Sequence, residues 1–247
     1  MKTIKSIFLI SCALLVFAGC SKDNYATQDA GIHGALTDGE IGGSLQLSET
    51  GLSSNIRMIV NDPAKYPSPS AFDLTINADG TYSNSLIFAE TYKVFPLAQS
   101  GPWQYIANDS LTVVIGHKQN PEVDFKVVPF FRIAATAVDS AITFTITKST
   151  TTTITNNLSA SNNLLIMINN YNIVNESICS NQTGKYYQNQ FQYTVTNANL
   201  GVPQTITFPF SKAHLPHGAA YFIRVAVVGS GSNGKYNYSP IIPVTIH

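Results

Sequence analysis

Charge is scarce in this chain. Lys, Arg, Asp and Glu make up 11% of its 247 residues, roughly half the ~25% of an ordinary globular protein. Basic and acidic side chains balance at 14 each. Without a basic excess there is no electrostatic footprint for phosphates, so no nucleic-acid partner is expected. Cysteine is nearly absent, with only Cys12, Cys20 and Cys179. No apolar run reaches the roughly 20 residues that a membrane-spanning helix needs. No apolar pattern recurs at helical spacing over a useful length after Gly31. The chain also lacks the G-x-S-x-G elbow, a phosphate-cradling glycine loop and the dinucleotide fingerprint. Its carboxylates are scattered, and a pair such as Glu122 and Asp124 on one strand face marks no cleft. Glycoside hydrolysis needs two carboxyls about 5–9.5 Å apart across the bond. The expectation is a protein without enzymatic activity and without a cofactor.

What the chain has instead is strand material. Hydrophobic residues make up 44%, enough for a core, and Ser, Thr and Asn supply most of the polar surface. Apolar residues alternate, or run in short β-branched and aromatic stretches, in Phe72–Ile76, Leu111–Ile115, Ala141–Ile146, Leu164–Ile168, Phe191–Val195, Thr205–Phe210, Tyr221–Val228 and Ile241–Ile246. Ser44–Leu47 shows the same alternation more briefly. Gly, Asn, Asp and Pro separate these runs. That pattern predicts an all-β fold of two consecutive β-sandwiches. Asp79-Gly80 and Asn233-Gly234 are tight-turn dipeptides, because both residue types tolerate positive φ. A boundary near Pro129 divides the chain into blocks 31–130 and 131–247, each the size of one sandwich.

The amino terminus has a different character. Lys2 and Lys5 precede the apolar run Ile7–Phe17, which ends in Ala18-Gly19-Cys20. The run fits the 7–15-residue core of a secretion signal. A Cys after small residues resembles the lipobox of bacterial lipoproteins; the alternative is an ordinary secretion signal with an incidental Cys. The resemblance implies that residues 1–19 are removed, that Cys20 carries the lipid, and that residues 20–30 form a tether. Each buried methylene contributes about 0.8 kcal/mol, so several chains on Cys20 anchor a protein durably to a membrane. Ser21-Lys22-Asp23-Asn24 resembles the export tether that sends Bacteroidetes lipoproteins to the outer face of the outer membrane. With Cys12 and Cys20 so assigned, Cys179 has no disulfide partner and reads as a small buried hydrophobe.

Both blocks resemble known domains. Ile32–Gly39, Asn77-Ala78-Asp79-Gly80-Thr81-Tyr82 and Leu86–Val94 are similar to the prealbumin-like sandwich of the carboxypeptidase regulatory domain. Ala89-Glu90-Thr91 departs from its L-x-x-G-x-Y strand by lacking the Gly. In that resemblance Gly80 permits a hairpin, and Tyr82 and Tyr92 point inward from neighbouring strands. Leu215-Pro216-His217-Gly218 followed by Tyr221 resembles the tyrosine corner of fibronectin type III domains. Phe222, Arg224 and Ala226 are then expected on one face of that strand, and Tyr221, Ile223 and Val225 on the other. Together with the lipobox, Val123–Phe130, Phe222-Ile223-Arg224-Val225 and Tyr236-Asn237-Tyr238-Ser239, these features resemble the two-domain Bacteroidetes lipoproteins encoded beside starch-utilisation-system-like (Sus-like) glycan uptake genes. The resemblance implies an outer-membrane surface accessory of glycan binding or uptake, with Sus-like transporter subunits and polysaccharide as partners. The alternative is a structural or adhesive lipoprotein without sugar affinity.

Four aromatics are the candidate carbohydrate contacts. Tyr186, Tyr187 and Tyr193 lie in a stretch rich in Asn and Gln, and Trp103 is the only tryptophan. Flat rings pack on the C–H face of a pyranose, while amides bond its hydroxyls without a charge. The competing reading for each is a core or corner residue, since aromatics dominate sandwich cores. His214 and His217 flank Pro216, which is not the helical metal pair, and no metal is expected. Asn77, Asp79, Thr81 and Asn84 space oxygens along a loop but lack the acidic first position and distal Glu of a calcium loop. Asp109-Ser110-Leu111 and Asp139-Ser140-Ala141 resemble a bacterial O-glycosylation tripeptide.

Overall fold

The computed structural model describes residues 26–48, 55–107, 109–179, 189–209 and 218–247. Cys20, Tyr186, Tyr187, His214, the Leu215–His217 corner and the whole of the signal segment lie outside these residues. The fold is all-β. Among the described residues the only helical element is a 3-10 turn at Asn197–Asn199, and no helix is long and apolar enough to cross a membrane.

Eight strands build the first sandwich: β1 (Ala30–Asp38), β2 (Asn55–Val60), β3 (Ala71–Thr75), β4 (Thr81–Ile87), β5 (Thr91–Pro96), β6 (Trp103–Gln104), β7 (Leu111–Val114) and β8 (Phe125–Pro129). One sheet runs β4-β1-β8-β6 and the other β3-β2-β5-β7. The period-two alternation decides which side chains face inward. Ile32 and Leu36 of β1, Ile56 and Met58 of β2, and Tyr92 and Val94 of β5 are buried in one cluster. Each such side chain contributes about 1.5–3 kcal/mol on burial. β1 and β8 pair in parallel, Leu36 opposite Phe125. That pairing needs Gly34, because a Cβ there would lie 1.9 Å from the Val123 carbonyl oxygen.

The Asp79-Gly80 turn forms, with Gly80 at φ +86, but it is not a hairpin. β3 and β4 on its two sides belong to opposite sheets, so it is a corner over the top of the sandwich. Tyr82 and Tyr92 do point inward, both 1% exposed, yet from facing sheets instead of neighbouring strands. Sequence spacing reports the chain reversal and the inward face. Which sheet each strand joins is decided by non-local pairing, here of β4 with β1.

The second sandwich comprises β9 (Phe131–Val138), β10 (Ala141–Lys148), β11 (Leu164–Asn169), β12 (Gln190–Tyr193), β13 (Gln204–Thr207), β14 (Ala220–Val227), β15 (Asn237–Tyr238) and β16 (Ile242–Thr245). A sheet ordered β13-β10-β9 faces one ordered β12-β11-β14, with β15 and β16 both pairing β14. Along β14, Tyr221, Ile223, Val225 and Val227 face the core between the sheets. Ala226 and Phe222 face a smaller cluster on the outer side, with Leu165, Met167, Val174, Cys179 and Tyr238. The two main cores run from Ala30 to Val127 and from Phe130 to Ile246.

Polar contacts join the two sandwiches. Arg132 at the start of β9 binds Asp38 at 2.5 and 2.7 Å and Glu40 at 2.6 Å. The polar loop Thr150–Thr153 lies against the first sandwich. Its backbone donates to Glu40 from Thr150 and Thr151 and to Gln104 from Thr153. Asn237 accepts from the Phe131 backbone N–H at 3.1 Å and donates to the Pro102 carbonyl at 2.9 Å.

Candidate functional site

In the described part of the connection between β11 and β12, exposed aromatic, amide and apolar residues follow one another in Tyr171, Asn172 and Ile173. The connection leaves the sheet at Asn169, whose Nδ2 donates to the Ile173 carbonyl at 2.7 Å and whose Oδ1 accepts from the Asn170 N–H at 2.9 Å. This Asx clasp closes a tight loop. Farther on, Asn175 Oδ1 accepts from the Ser177 and Ile178 N–H groups, each at 3.0 Å. Val174 and Cys179 are fully buried and root the segment on the outer cluster of the sheet. Cys179 is thus the small buried hydrophobe that its neighbourhood in the sequence implies.

Charged groups brace the same root. Arg224 is fully buried in β14. Its guanidinium lies 4.4 Å from the centre of the Tyr238 ring. Nε donates to the Ser239 carbonyl at 2.9 Å and Nη1 to the Val174 carbonyl at 3.3 Å. The Tyr238 hydroxyl donates to Glu176, and Ser48 of the first sandwich donates to the same carboxylate oxygen at 3.4 Å. Burial, and then the Glu176 carboxylate, push the Tyr238 phenol far above its ordinary range. It therefore remains a neutral donor, and the loop is held against both sandwiches.

Among the described residues of the loop, Tyr171, Asn172, Ile173, Ser177 and Ile178 are exposed. Tyr171 is 67% exposed. Asn172, Ile173 and Ile178 line an open cleft of about 610 Å³, together with Ile241 and the Asn77-Ala78-Asp79 corner of the first sandwich. Asp79 Oδ1 accepts from the Thr81 N–H at 3.0 Å and its hydroxyl at 2.7 Å. These bonds, the hydroxyl's first, outweigh burial and keep the Asp79 carboxyl below its ordinary pKa. Asn77 Nδ2 donates to the Thr81 hydroxyl at 3.0 Å, and Asn84 Oδ1 accepts from the Leu86 N–H at 2.8 Å. Asp79 Oδ1 and the Thr81 hydroxyl are thus engaged in shaping the turn, and Asn84 Oδ1 bonds within β4.

The sequence candidates fare unequally. Tyr186 and Tyr187 fall within this same β11–β12 connection but outside the described residues. Trp103 is corrected: it is 1% exposed and belongs to the first core. β6 pairs with β8, Trp103 opposite Pro129, which turns the indole into the sandwich and leaves no face for stacking a sugar. Tyr193 is half-buried and packs, like Phe191, against the second core. Burial raises its phenol pKa. Tyr171 escaped notice in the sequence, although Asn169-Asn170-Tyr171-Asn172 carries the same signal as the Tyr186 segment, an aromatic set among amides.

Comparisons with known proteins accord with this fold. Residues 31–128 match the N-terminal domain of a protein family of unknown function, DUF3823. A DUF3823 family protein from Bacteroides uniformis superposes with a TM-score of 0.65 at 18% identity, over 89% of this chain and 100% of that one. One from Parabacteroides merdae gives 0.61 at 21% identity, over 87% and 98%. A second Bacteroides uniformis protein, described as a candidate carbohydrate binding protein, gives 0.61 at 17% identity, over 88% and 99%. No curated protein matches the chain.

Proposed function

We propose that this chain, which carries a DUF3823 N-terminal domain over residues 31–128, is a lipid-anchored outer-membrane surface protein that binds glycan without turning it over. The carrying observation is Tyr171, 67% exposed on a clasped loop. Asn172, next to it in the chain, lines a cleft together with Asn77 and Asp79. A tyrosine ring supplies an amphipathic stacking surface. The amides and the ionised Asp79 carboxylate bond hydroxyls. Such a site gives modest affinity per contact. Anchoring through Cys20 beside a Sus-like transporter then raises the local concentration of captured chain, in the manner of a tethered second site. The description of one structural neighbour as a candidate carbohydrate binder supports the same reading.

A second reading rests on Ile173 and Ile178, 44% and 46% exposed next to Tyr171. Apolar groups gathered this way also suit a protein partner. Affinity electrophoresis of the full chain through gels containing neutral polysaccharides separates the two. Retardation weakened in Tyr171→Ala supports glycan capture at this loop. Unretarded migration in every gel, with a transporter subunit co-purifying, supports the protein partner. Turnover of a chromogenic glycoside would overturn both. Mass spectrometry of the intact protein tests the anchor, and a free thiol at Cys20 refutes it.

A further inference from the structure

A separate groove is lined by the stretch of chain that passes from β5 to β7 and by Ile154 of the second sandwich. Its volume is about 460 Å³, within the range of small-ligand sites. Phe95, Pro96 and Leu97 form one wall, Tyr105 another, and Ile154 of the second sandwich closes one side. Trp103, itself 1% exposed, borders the groove from within the core. Gln104 is not available to a ligand. Its Oε1 accepts from the Thr153 and Ile154 N–H groups at 2.8 and 3.2 Å, and its Nε2 donates to the Thr153 hydroxyl at 2.6 Å. This amide staples Ile154 over the groove.

The polar groups left at the mouth are Gln99, the Tyr105 hydroxyl, Asp109 and Ser110. Tyr105 is fixed edge-on to Phe125, with ring centres 5.9 Å apart, and its hydroxyl lies 3.4 Å from Asp109 Oδ1. Burial, and then the Asp109 charge, raise the Tyr105 phenol pKa, so the ring stays neutral. Gln99 holds φ +60, a left-handed conformation that a side-chain-bearing residue adopts at a cost. That turn sets its amide at the groove wall. The lining residues include one carboxylate and no Lys, Arg or His.

We infer that this groove is a second glycan site, specific for uncharged pyranosyl units. Apolar walls accept the C–H faces of a sugar. A carboxylate accepts two vicinal hydroxyls, and charged acceptors form the stronger hydrogen bonds. A sulfated or uronic-acid chain would set its own negative charge against Asp109 with no cation to offset it. The inference rests on the glycan-binding reading of the chain, but the site does not include Tyr171 and shares no residue with the cleft lined by Asn77, Asp79 and Asn172.

The only tryptophan of the chain lies at this groove, which makes its emission a local reporter. The full chain in detergent is titrated with linear neutral hexasaccharides of glucose, xylose and mannose, and with sulfated and polyuronic hexasaccharides. Heat and tryptophan emission are followed together. The expected result is a saturable emission change with a neutral chain, weakened roughly tenfold by Asp109→Asn and untouched by Tyr171→Ala. Heat without an emission change, abolished by Tyr171→Ala, overturns the second site and leaves the first standing. An equal emission response to the anionic chains, or one indifferent to Asp109→Asn, also overturns it. Neither heat nor emission change with any chain overturns both sites.

Discussion

Replacing Glu40 by Gln tests how the two sandwiches are held together. Arg132, Asp38 and Glu40 have side chains 18%, 6% and 15% exposed. The guanidinium forks onto Asp38, reaches Glu40 and donates to the Ser149 hydroxyl at 2.8 Å. The second oxygen of Glu40 accepts from the Thr150 N–H at 3.0 Å, its hydroxyl at 2.8 Å and the Thr151 N–H at 3.1 Å. Burial acts to raise the Glu40 pKa. The hydrogen bonds from Thr150, Arg132 and Thr151 outweigh it and bring the group down from 4.5 to about 2.

A carboxyl depressed on folding stabilises the native state fully above its unfolded pKa, and that stability is lost as pH falls through the folded value. One unit corresponds to about 1.4 kcal/mol, and solvent screening at this rim position leaves about 1–2 kcal/mol in all. Urea unfolding of the full chain near neutral pH should therefore show Glu40→Gln less stable by that amount with an unchanged slope. The difference between wild type and variant should close as pH falls from 4.5 toward 2. Arg132→Leu strands both carboxylates and should cost more, about 3 kcal/mol. A wild-type advantage that is absent near neutrality, or that persists undiminished in acid, refutes the reasoning.

Gly34→Ala should destabilise the chain by about 3 kcal/mol or more, because the new methyl would overlap the Val123 carbonyl and part β1 from β8; a wild-type melting temperature would contradict this. Gln104→Ala removes the bonds to Thr153 and Ile154 and should cost about 1–2 kcal/mol in denaturant unfolding. Tyr171→Ala should leave stability within about 0.5 kcal/mol of wild type while weakening, without abolishing, retardation in glycan gels, so a variant that unfolds early would make Tyr171 a structural residue.

Much of the strand content was legible before any coordinates. Alternation placed Ile223 and Val225 on one face of β14 and Ala226 on the other, because side-chain direction in a strand is a local property with period two. The same local logic located the turns at Gly80 and Asn233-Gly234. At Trp103 it favours the core over a stacking platform without closing the question, and the pairing of β6 with β8 decides for the core. It also passed over Tyr171, whose exposure depends on where Val174 and Cys179 root the loop.

The sequence by itself determined the strand-and-turn character of the chain, the inward and outward faces of its strands and the poverty of charge, all set within a few residues by backbone sterics and side-chain polarity. Only the tertiary structure decided that β3 and β4 part into opposite sheets, that Asp38, Glu40 and Arg132 meet at the junction, and that the Asn77–Asp79 corner lines a cleft together with Asn172. Those pairings join residues up to a hundred positions apart. Their energies come from non-local strand pairing and from charge buried between two bodies, neither of which leaves a periodic trace in the chain.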